Sequence, residues 1–486
     1  MNYKLMGRFI ARIIAIEALF LLPALGISLG YGEFAAAQGF LYTIAIILFL
    51  SGALYLLCRK AGKSFGVQEG MICVSASWLF MSLLGALPFY FSGAIGSYVD
   101  AFFETVSGFT TTGASILSDV ESLPKGLLYW RSFTHWVGGM GVLVFLLAFS
   151  SGGEQGAGFT MHLLRAESPG PDVGKLVPKM KQTAKILYLI YIVLTIVNIL
   201  FLLAGGMSLL DSLCIGFGTA GTGGFGVKND SFASYSPYIQ NVTTVFMFLF
   251  GINFSCYFLL LLRQFKSVFK DEELRLYIGL ALVSTGLIVW NTFRVSFHGD
   301  VWESLRHAAF QVSSIMTTTG YTSVDYDTWH TFSKGILMLL MLVGACAGST
   351  GGGFKCARVL LIFKSLRRNI RQVLNPRKVM VIRNNGKVMD EKIVANTNAY
   401  LAAYMILMVI SVLVIGMDGH SIETNISAVF ACFNNIGPGM AAVGPTCNYS
   451  IYGGFSKVIL SLDMLFGRLE IFPFLVLLSR SAWRRK

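Results

Sequence analysis

Asp100-Ala-Phe-Phe-Glu104-Thr-Val-Ser-Gly-Phe-Thr110-Thr111-Thr112-Gly113 decides how this chain is read. Apolar runs flank it, yet it is itself too short to cross a bilayer, which takes about 20 residues in a helix. It is also too apolar for a solvent loop, so it reads as a re-entrant segment. Backbone that leaves the helix at membrane depth is tolerated only where protein buries it or water lines it, because each unsatisfied amide in lipid costs several kcal/mol.

The pattern recurs. Asp211 begins a second copy that ends Gly218-Thr-Ala-Gly221-Thr222-Gly223-Gly224-Phe225. A third runs Phe310-Gln-Val-Ser-Ser-Ile-Met-Thr317-Thr318-Thr319-Gly320-Tyr321, and a looser fourth runs Ala428-Val-Phe-Ala-Cys-Phe-Asn434-Asn435-Ile436-Gly437-Pro438. With Gly223 taken as the second terminal glycine, the four glycines stand 110, 97 and 117 residues apart. A repeat at that period is an architecture. Acidic residues precede the glycine in the first, second and fourth copies. The third is expected to depart, with Arg306 and His307 in that place and Asp300 and Glu303 further back.

Composition agrees with a membrane setting. The 486 residues are 55% hydrophobic and 13% charged, with a mean hydropathy of +0.66. Soluble globules carry about 25% charged residues. A secreted enzyme, a disordered scaffold and a coiled coil are thereby excluded. Ten spans are expected near residues 9–30, 38–58, 69–92, 128–150, 184–205, 239–262, 274–297, 333–362, 394–416 and 455–479. The first is longer than a cleaved signal core and runs straight into the second, so it reads as a retained span. An even number of spans puts both termini on one side. Thirty of the 38 Lys and Arg residues fall on that side, which the positive-inside rule makes cytoplasmic. The net charge of +13 is therefore topology and not a nucleic-acid footprint. The eight cysteines lack a CxxC pair and the six histidines are scattered singly, so no zinc or haem site is expected.

The expected fold is an all-α polytopic membrane protein: ten transmembrane helices and four re-entrant pore half-helices. Four fused span–half-helix–span units surround one central pore, with two extra N-terminal spans. The units are placed at 1–66 (N-terminal extension), 67–152 (first repeat), 153–182 (cytoplasmic linker), 183–265 (second repeat), 274–392 (third repeat) and 393–486 (fourth repeat). Four Thr-Gly runs turned toward one axis present carbonyl oxygens that replace the water shell of a small cation. Each half-helix aims its negative C-terminal end at the same place. The expected cation contacts are Thr111, Thr112, Gly113, Gly221, Thr222, Gly223, Thr318, Thr319, Gly320, Asn435, Ile436 and Gly437.

Span eight is interrupted by Gly344-Ala-Cys-Ala-Gly348-Ser349-Thr350-Gly351-Gly352-Gly353-Phe354-Lys355. It lacks the Gly-Lys-Ser/Thr ending of a phosphate-binding loop. Glycines at this density unwind a helix, each costing about 1 kcal/mol relative to Ala. Helix packing through small residues is the other reading of these glycines. In span ten, Asp463, Arg468 and Glu470 stand in an apolar run, and a charge at bilayer depth is a functional candidate. Arg468 either pairs with one of the two neighbouring acids or lines the pore beneath the filter and bonds to the carbonyls of the Gly-rich loop.

These residues resemble the Trk/Ktr/HKT potassium transporters, most closely the bacterial Trk-H and Trk-G type, over nearly the whole chain. The resemblance implies four fused potassium-channel-like pore units, each with one filter glycine: Gly113, Gly223, Gly320 and Gly437. In the family, glycine at all four places accompanies potassium preference, and serine at the first accompanies sodium transport. Asn434-Asn435-Ile436 departs from the Thr run. The resemblance further implies an intramembrane gate at Gly348, Ser349, Thr350, Gly351, Gly352, Gly353, Lys355 and Arg468. It also implies a homodimer in the bacterial inner membrane and a separate Trk-A type cytosolic nucleotide-binding subunit. Any nucleotide then resides on that partner, and this chain carries no covalent cofactor. The subunit is expected to dock on the basic segment 364–392 and on 152–181; the same basic charges also suit anionic lipid. Two other functions compete with this one. A rocking secondary transporter coupled to protons or sodium predicts paired broken helices in corresponding halves, whereas the sequence displays one Gly-rich break. An enzyme built on Glu104 and His135 lacks any nucleophile–base or metal spacing.

Overall fold

The computed structural model describes residues 2–59, 67–141, 180–479 and 483. The 153–179 part of the expected linker, the 142–150 end of the fourth expected span and the 152–179 part of the expected docking face lie outside the described residues. Nearly all regular structure is helical. Six helices are long and apolar enough to cross a membrane, and a bent pair supplies a seventh crossing among the described residues.

Helices α1 (Tyr3–Gly30) and α2 (Phe34–Leu57) form an N-terminal hairpin. Small residues let it pack closely: Ser51 Oγ donates to the Ala11 carbonyl at 2.8 Å, and a side chain on Gly39 would meet the Pro88 carbonyl at 3.0 Å. Four units then follow, each with a short buried half-helix. The first is α3 (Val67–Gly85) with α4 (Leu87–Phe91), the half-helix α5 (Tyr98–Phe109), then α6 (Lys125–Met140). The second is α7 (Met180–Ala204), the half-helix α8 (Leu209–Gly221), then α9 (Pro237–Phe250) and α10 (Phe254–Leu261). After the short α11 (Phe265–Phe269), the third has α12 (Glu272–Thr292), the half-helix α13 (Val301–Met316), then α14 (Thr331–Val343) and α15 (Cys356–Leu374). The fourth has α16 (Glu391–Ile415), the half-helix α17 (Ile422–Phe433), then α18 (Gly454–Leu469) and α19 (Ile471–Leu478).

Between α15 and α16 a small antiparallel hairpin, β1 (Arg383–Asn384) and β2 (Lys387–Val388), turns through Asn385-Gly386, both at positive φ. That is the backbone a two-residue hairpin loop needs. It is the one departure from an all-helical chain among the described residues.

Two sequence expectations change here. The third half-helix does not lack an N-terminal acid. Its 16 residues add about one turn over the 12 and 13 residues of the others, so Asp300 becomes its N-cap and Glu303 sits in its first turn. Asp300 accepts from the amides of Trp302 and Glu303 at 2.9 and 3.0 Å. In addition, spans six and ten are not continuous. α9 and α10 meet at 89° across Gly251–Asn253, and α18 stops at Glu470, whose φ is +67°.

Candidate pore and gate

All four half-helices end in the same way. A residue in the left-handed region follows the helix: Thr111 (φ 55°), Thr222 (54°), Thr318 (61°) and Asn435 (55°). Its amide donates back three residues, and the next amide donates back five. Thr112 reaches the Ser107 carbonyl, Gly223 that of Gly218, Thr319 that of Ser314 and Ile436 that of Ala431, at 2.8–2.9 Å. This is a Schellman termination. A left-handed conformation in a residue with a Cβ costs about 1–2 kcal/mol, and all four segments hold one. The glycine two places on takes φ of 81° to 98°: Gly113, Gly224, Gly320 and Gly437.

The second segment thus corrects the sequence register by one residue. Gly224, not Gly223, occupies the place of Gly113, and Gly221 is the last residue of α8, matching Thr110. Two adjacent glycines made the alignment ambiguous in sequence; only the backbone dihedrals separate them.

The four glycines close a ring. A side chain on Gly113 would run into the Gly223 carbonyl, one on Gly224 into that of Thr319, one on Gly320 into that of Ile436, and one on Gly437 into that of Thr112. Around this ring the carbonyls fall into two sets of four: Thr111, Thr222, Thr318 and Asn435, then Thr112, Gly223, Thr319 and Ile436. None of these eight accepts a hydrogen bond from any described residue. The eight residues that carry them are fully buried or nearly so. Side chains brace the segments from behind. Thr110 and Thr112 share a hydroxyl hydrogen bond at 2.8 Å, and Thr317 and Thr319 repeat it at 2.7 Å. In the fourth segment Asn435 Nδ2 does this work, donating to Thr112 Oγ1 and to the Met464 carbonyl, both at 2.9 Å.

Behind the first two segments lies a buried ion pair that the sequence reading did not assign. Arg131 Nε on α6 donates to Glu104 Oε1 on α5 at 2.6 Å. The same carboxylate accepts from Ser115 Oγ and the Ile116 amide, while Arg131 also reaches the Gly226 carbonyl and stacks on Phe225. A charge inside the apolar run of span four was the available signal. His135 bridges the same two segments: its Nδ1 donates to the Gly108 carbonyl at 2.8 Å and its Nε2 accepts from the Phe225 amide at 3.3 Å. Both ring nitrogens are thereby used, which identifies the neutral imidazole with its proton on Nδ1. Glu104 and His135 brace the first two segments and form no reactive pair.

The Gly-rich loop, residues 344–355, lies directly against the third and fourth segments. The Gly352 amide donates to Thr318 Oγ1 at 2.7 Å, and side chains on Gly351 or Gly352 would meet the Thr317 carbonyl at 2.9 Å or Asn435 Cβ at 2.6 Å. Gly348 and Gly353 take φ of 71°, and Lys355, fully buried, takes 80° and folds its ammonium back onto the Gly351 carbonyl. Ser349 closes a turn on the Cys346 carbonyl at 2.6 Å.

The interruptions in the other spans meet this loop. At the α9–α10 bend, the Phe254 amide donates to the Gly348 carbonyl at 3.0 Å, the Phe250 carbonyl accepts from Thr350 Oγ1 at 3.2 Å, and the Gly251 carbonyl accepts from the Cys346 amide at 3.1 Å. Glu273 accepts from the Ala347 amide at 2.6 Å. From α18, Arg468 donates to the Thr350 carbonyl at 2.7 Å and also to the carbonyls of Gly138 and Gly139 at the end of α6. The two neighbouring acids are engaged elsewhere: Asp463 accepts from Ser411, and Glu470 pairs with Arg358 on α15. Arg468 therefore carries the bonds to the loop that the sequence left open. Broken helices free carbonyls at membrane depth, and these contacts satisfy them.

The geometry defines a class first: a polytopic helical membrane protein whose centre is a ring of four backbone segments closed on one side by a loop. Known proteins agree. A profile of the TrkH cation transport proteins matches residues 36–484. The Trk system potassium uptake protein TrkH of Salmonella typhimurium is 34% identical over the full length of both chains. TrkG of Escherichia coli strain K12, also a Trk system potassium uptake protein, is 31% identical over 96% of each. The crystal structure of the potassium transporter TrkH from Vibrio parahaemolyticus superposes with a TM-score of 0.88 and 29% identity, covering both chains completely. The chain belongs to the TrkH family of cation transport proteins, and the enzyme reading is set aside.

Proposed function

We propose that this chain takes up potassium across the bacterial inner membrane, as a Trk system potassium uptake protein. Ten spans carry it, both termini are cytoplasmic, and four repeats surround one pore. The observation that carries this reading is the set of eight donor-free carbonyls in the ring. Buried carbonyls without donors are costly in an apolar interior, and two layers of four supply the oxygens that replace a potassium ion's water. Thr111, Thr112, Gly113, Thr222, Gly223, Gly224, Thr318, Thr319, Gly320, Asn435, Ile436 and Gly437 form the filter. The Gly-rich loop with Lys355 and Arg468 is the gate: it lies across the ion's exit, and its two positive charges repel a cation beneath the filter.

Opening is assigned to a cytosolic nucleotide-binding subunit that docks on 364–392 and 152–181 and pulls on α15, the helix that continues from the loop. The nucleotide stays on that subunit, and the chain works as a homodimer. Flux in liposomes under a potassium gradient, with and without an imposed proton gradient, tests the reading. Potassium flux that persists without the proton gradient is expected. Flux that vanishes without it would replace the pore with a coupled transporter.

A further inference from the structure

A basic groove opens where α15 runs away from the gate. Lys364, Arg367, Arg368 and Arg371 on α15, with Lys378 and Arg383 on the returning chain, line a cavity of about 380 Å³ whose remaining walls are apolar. Six positive charges surround it and no acid lines it. Glu272 and Glu391 pair with Lys364 and Arg368. Arg367, Arg371, Lys378 and Arg383 have no carboxylate in salt-bridge range among the described residues. Arg368 Nε is buried without an acceptor. Like charges held this closely repel one another, and an anion relieves that repulsion. Guanidinium groups suit a phosphate in particular, since each offers two parallel donors.

The phosphate has two possible sources, a lipid headgroup or a soluble nucleotide, and depth decides between them. Measured from Cys356 at the end of the intramembrane loop, Lys364 and Arg371 lie about 12 and about 23 Å along the helix at 1.5 Å per residue. With Cys356 taken near the bilayer midplane, half the hydrocarbon core is about 15 Å, and these residues fall on either side of the headgroup boundary. The same helix leaves Phe363, Leu366 and Ile370 more than half exposed, as acyl-chain contact requires. We propose that the groove holds the phosphodiester headgroup of an anionic phospholipid from the cytoplasmic leaflet, anchoring the helix that leads from the gate. Arg377 and Lys387 lie outside the groove and remain available to a protein partner. The inference rests on the reading above only for the side on which α15 emerges.

Native mass spectrometry of the purified full-length chain, with phosphatidylglycerol or phosphatidylcholine titrated in, tests binding apart from flux. The parent is expected to retain phosphatidylglycerol preferentially. The triple variant Arg367→Gln, Arg371→Gln, Lys378→Gln should bind it at least about tenfold more weakly, and Arg377→Gln with Lys387→Gln should bind as the parent does. Lys378→Gln alone, outside any helix, gives the same direction should the triple variant misfold. Equal retention by parent and groove variants overturns the proposal. So does ATP or inorganic phosphate that displaces the lipid at comparable concentration, since that would define a soluble-phosphate site.

Discussion

The Arg468 guanidinium stands 2.7 Å from the Thr350 carbonyl and 2.7 Å from the Gly139 carbonyl, so one side chain of the fourth repeat ties the Gly-rich loop of the third to the end of α6 in the first. On the proposed reading, replacing it with Ala removes both a cation beneath the filter and the staple. Potassium or rubidium flux into liposomes without any activator should rise about tenfold, the equivalent of about 1.4 kcal/mol taken from the closed state. Deleting Gly351 to Gly353 should act in the same direction. Folded variants that conduct no more than the parent would return the loop to a packing role.

The ring geometry predicts selectivity. Gly113→Ser places a side chain against the Gly223 carbonyl at a φ of 81°, so the ring must spread. Potassium preference over sodium and lithium should weaken. Gly224→Ser, which drives a side chain into the Thr319 carbonyl, should do the same, because Gly224 holds the place of Gly113. Ion competition in the flux assay checks both, and unchanged ratios in the two variants would remove the ring from selectivity.

Glu104 and Arg131 are buried together, so removing one leaves the other uncompensated. Glu104→Gln or Arg131→Met should destabilise the protein by about 3–5 kcal/mol, and the double replacement Glu104→Met with Arg131→Met by less than either single change. Thermal unfolding in detergent reads the difference. Equal or larger loss in the double variant would show the two residues acting separately.

Glu470 breaks span ten at φ +67° and pairs with Arg358, just after the Gly-rich loop. Arg358 also donates to the Phe354 carbonyl at 3.1 Å and stacks on Tyr400. Glu470→Gln should loosen α15 and raise basal flux less than Arg468→Ala does, with ion selectivity unchanged. A shift in selectivity would mean that the pair shapes the filter and not the gate.

Much of this was legible in sequence because the bilayer restricts what a chain can do. A short apolar segment between two spans has to turn back, and its recurrence at four places identified the ring residues, save one register. The Gly-rich stretch and Arg468 stood out because glycine density and an intramembrane charge are both unfavourable in a lipid-exposed helix. The breaks at Gly251–Asn253 and Glu470 were not legible. Neither stretch is Gly-rich, and each backbone departure is compensated by partners distant in sequence, Gly348 and Cys346 in one case and Arg358 in the other.

What the sequence by itself determined was the membrane class, the four repeated half-helices and the location of the Gly-rich break, all set by local hydropathy and backbone preference. What only the tertiary structure decided was which carbonyls stay free, that Gly224 and not Gly223 closes the ring, and that Arg468 binds loop carbonyls while Asp463 and Glu470 find other partners. Those outcomes depend on pairings between residues 52 to 330 apart along the chain. A local pattern fixes where a donor stands along a helix, but only packing fixes which acceptor it meets.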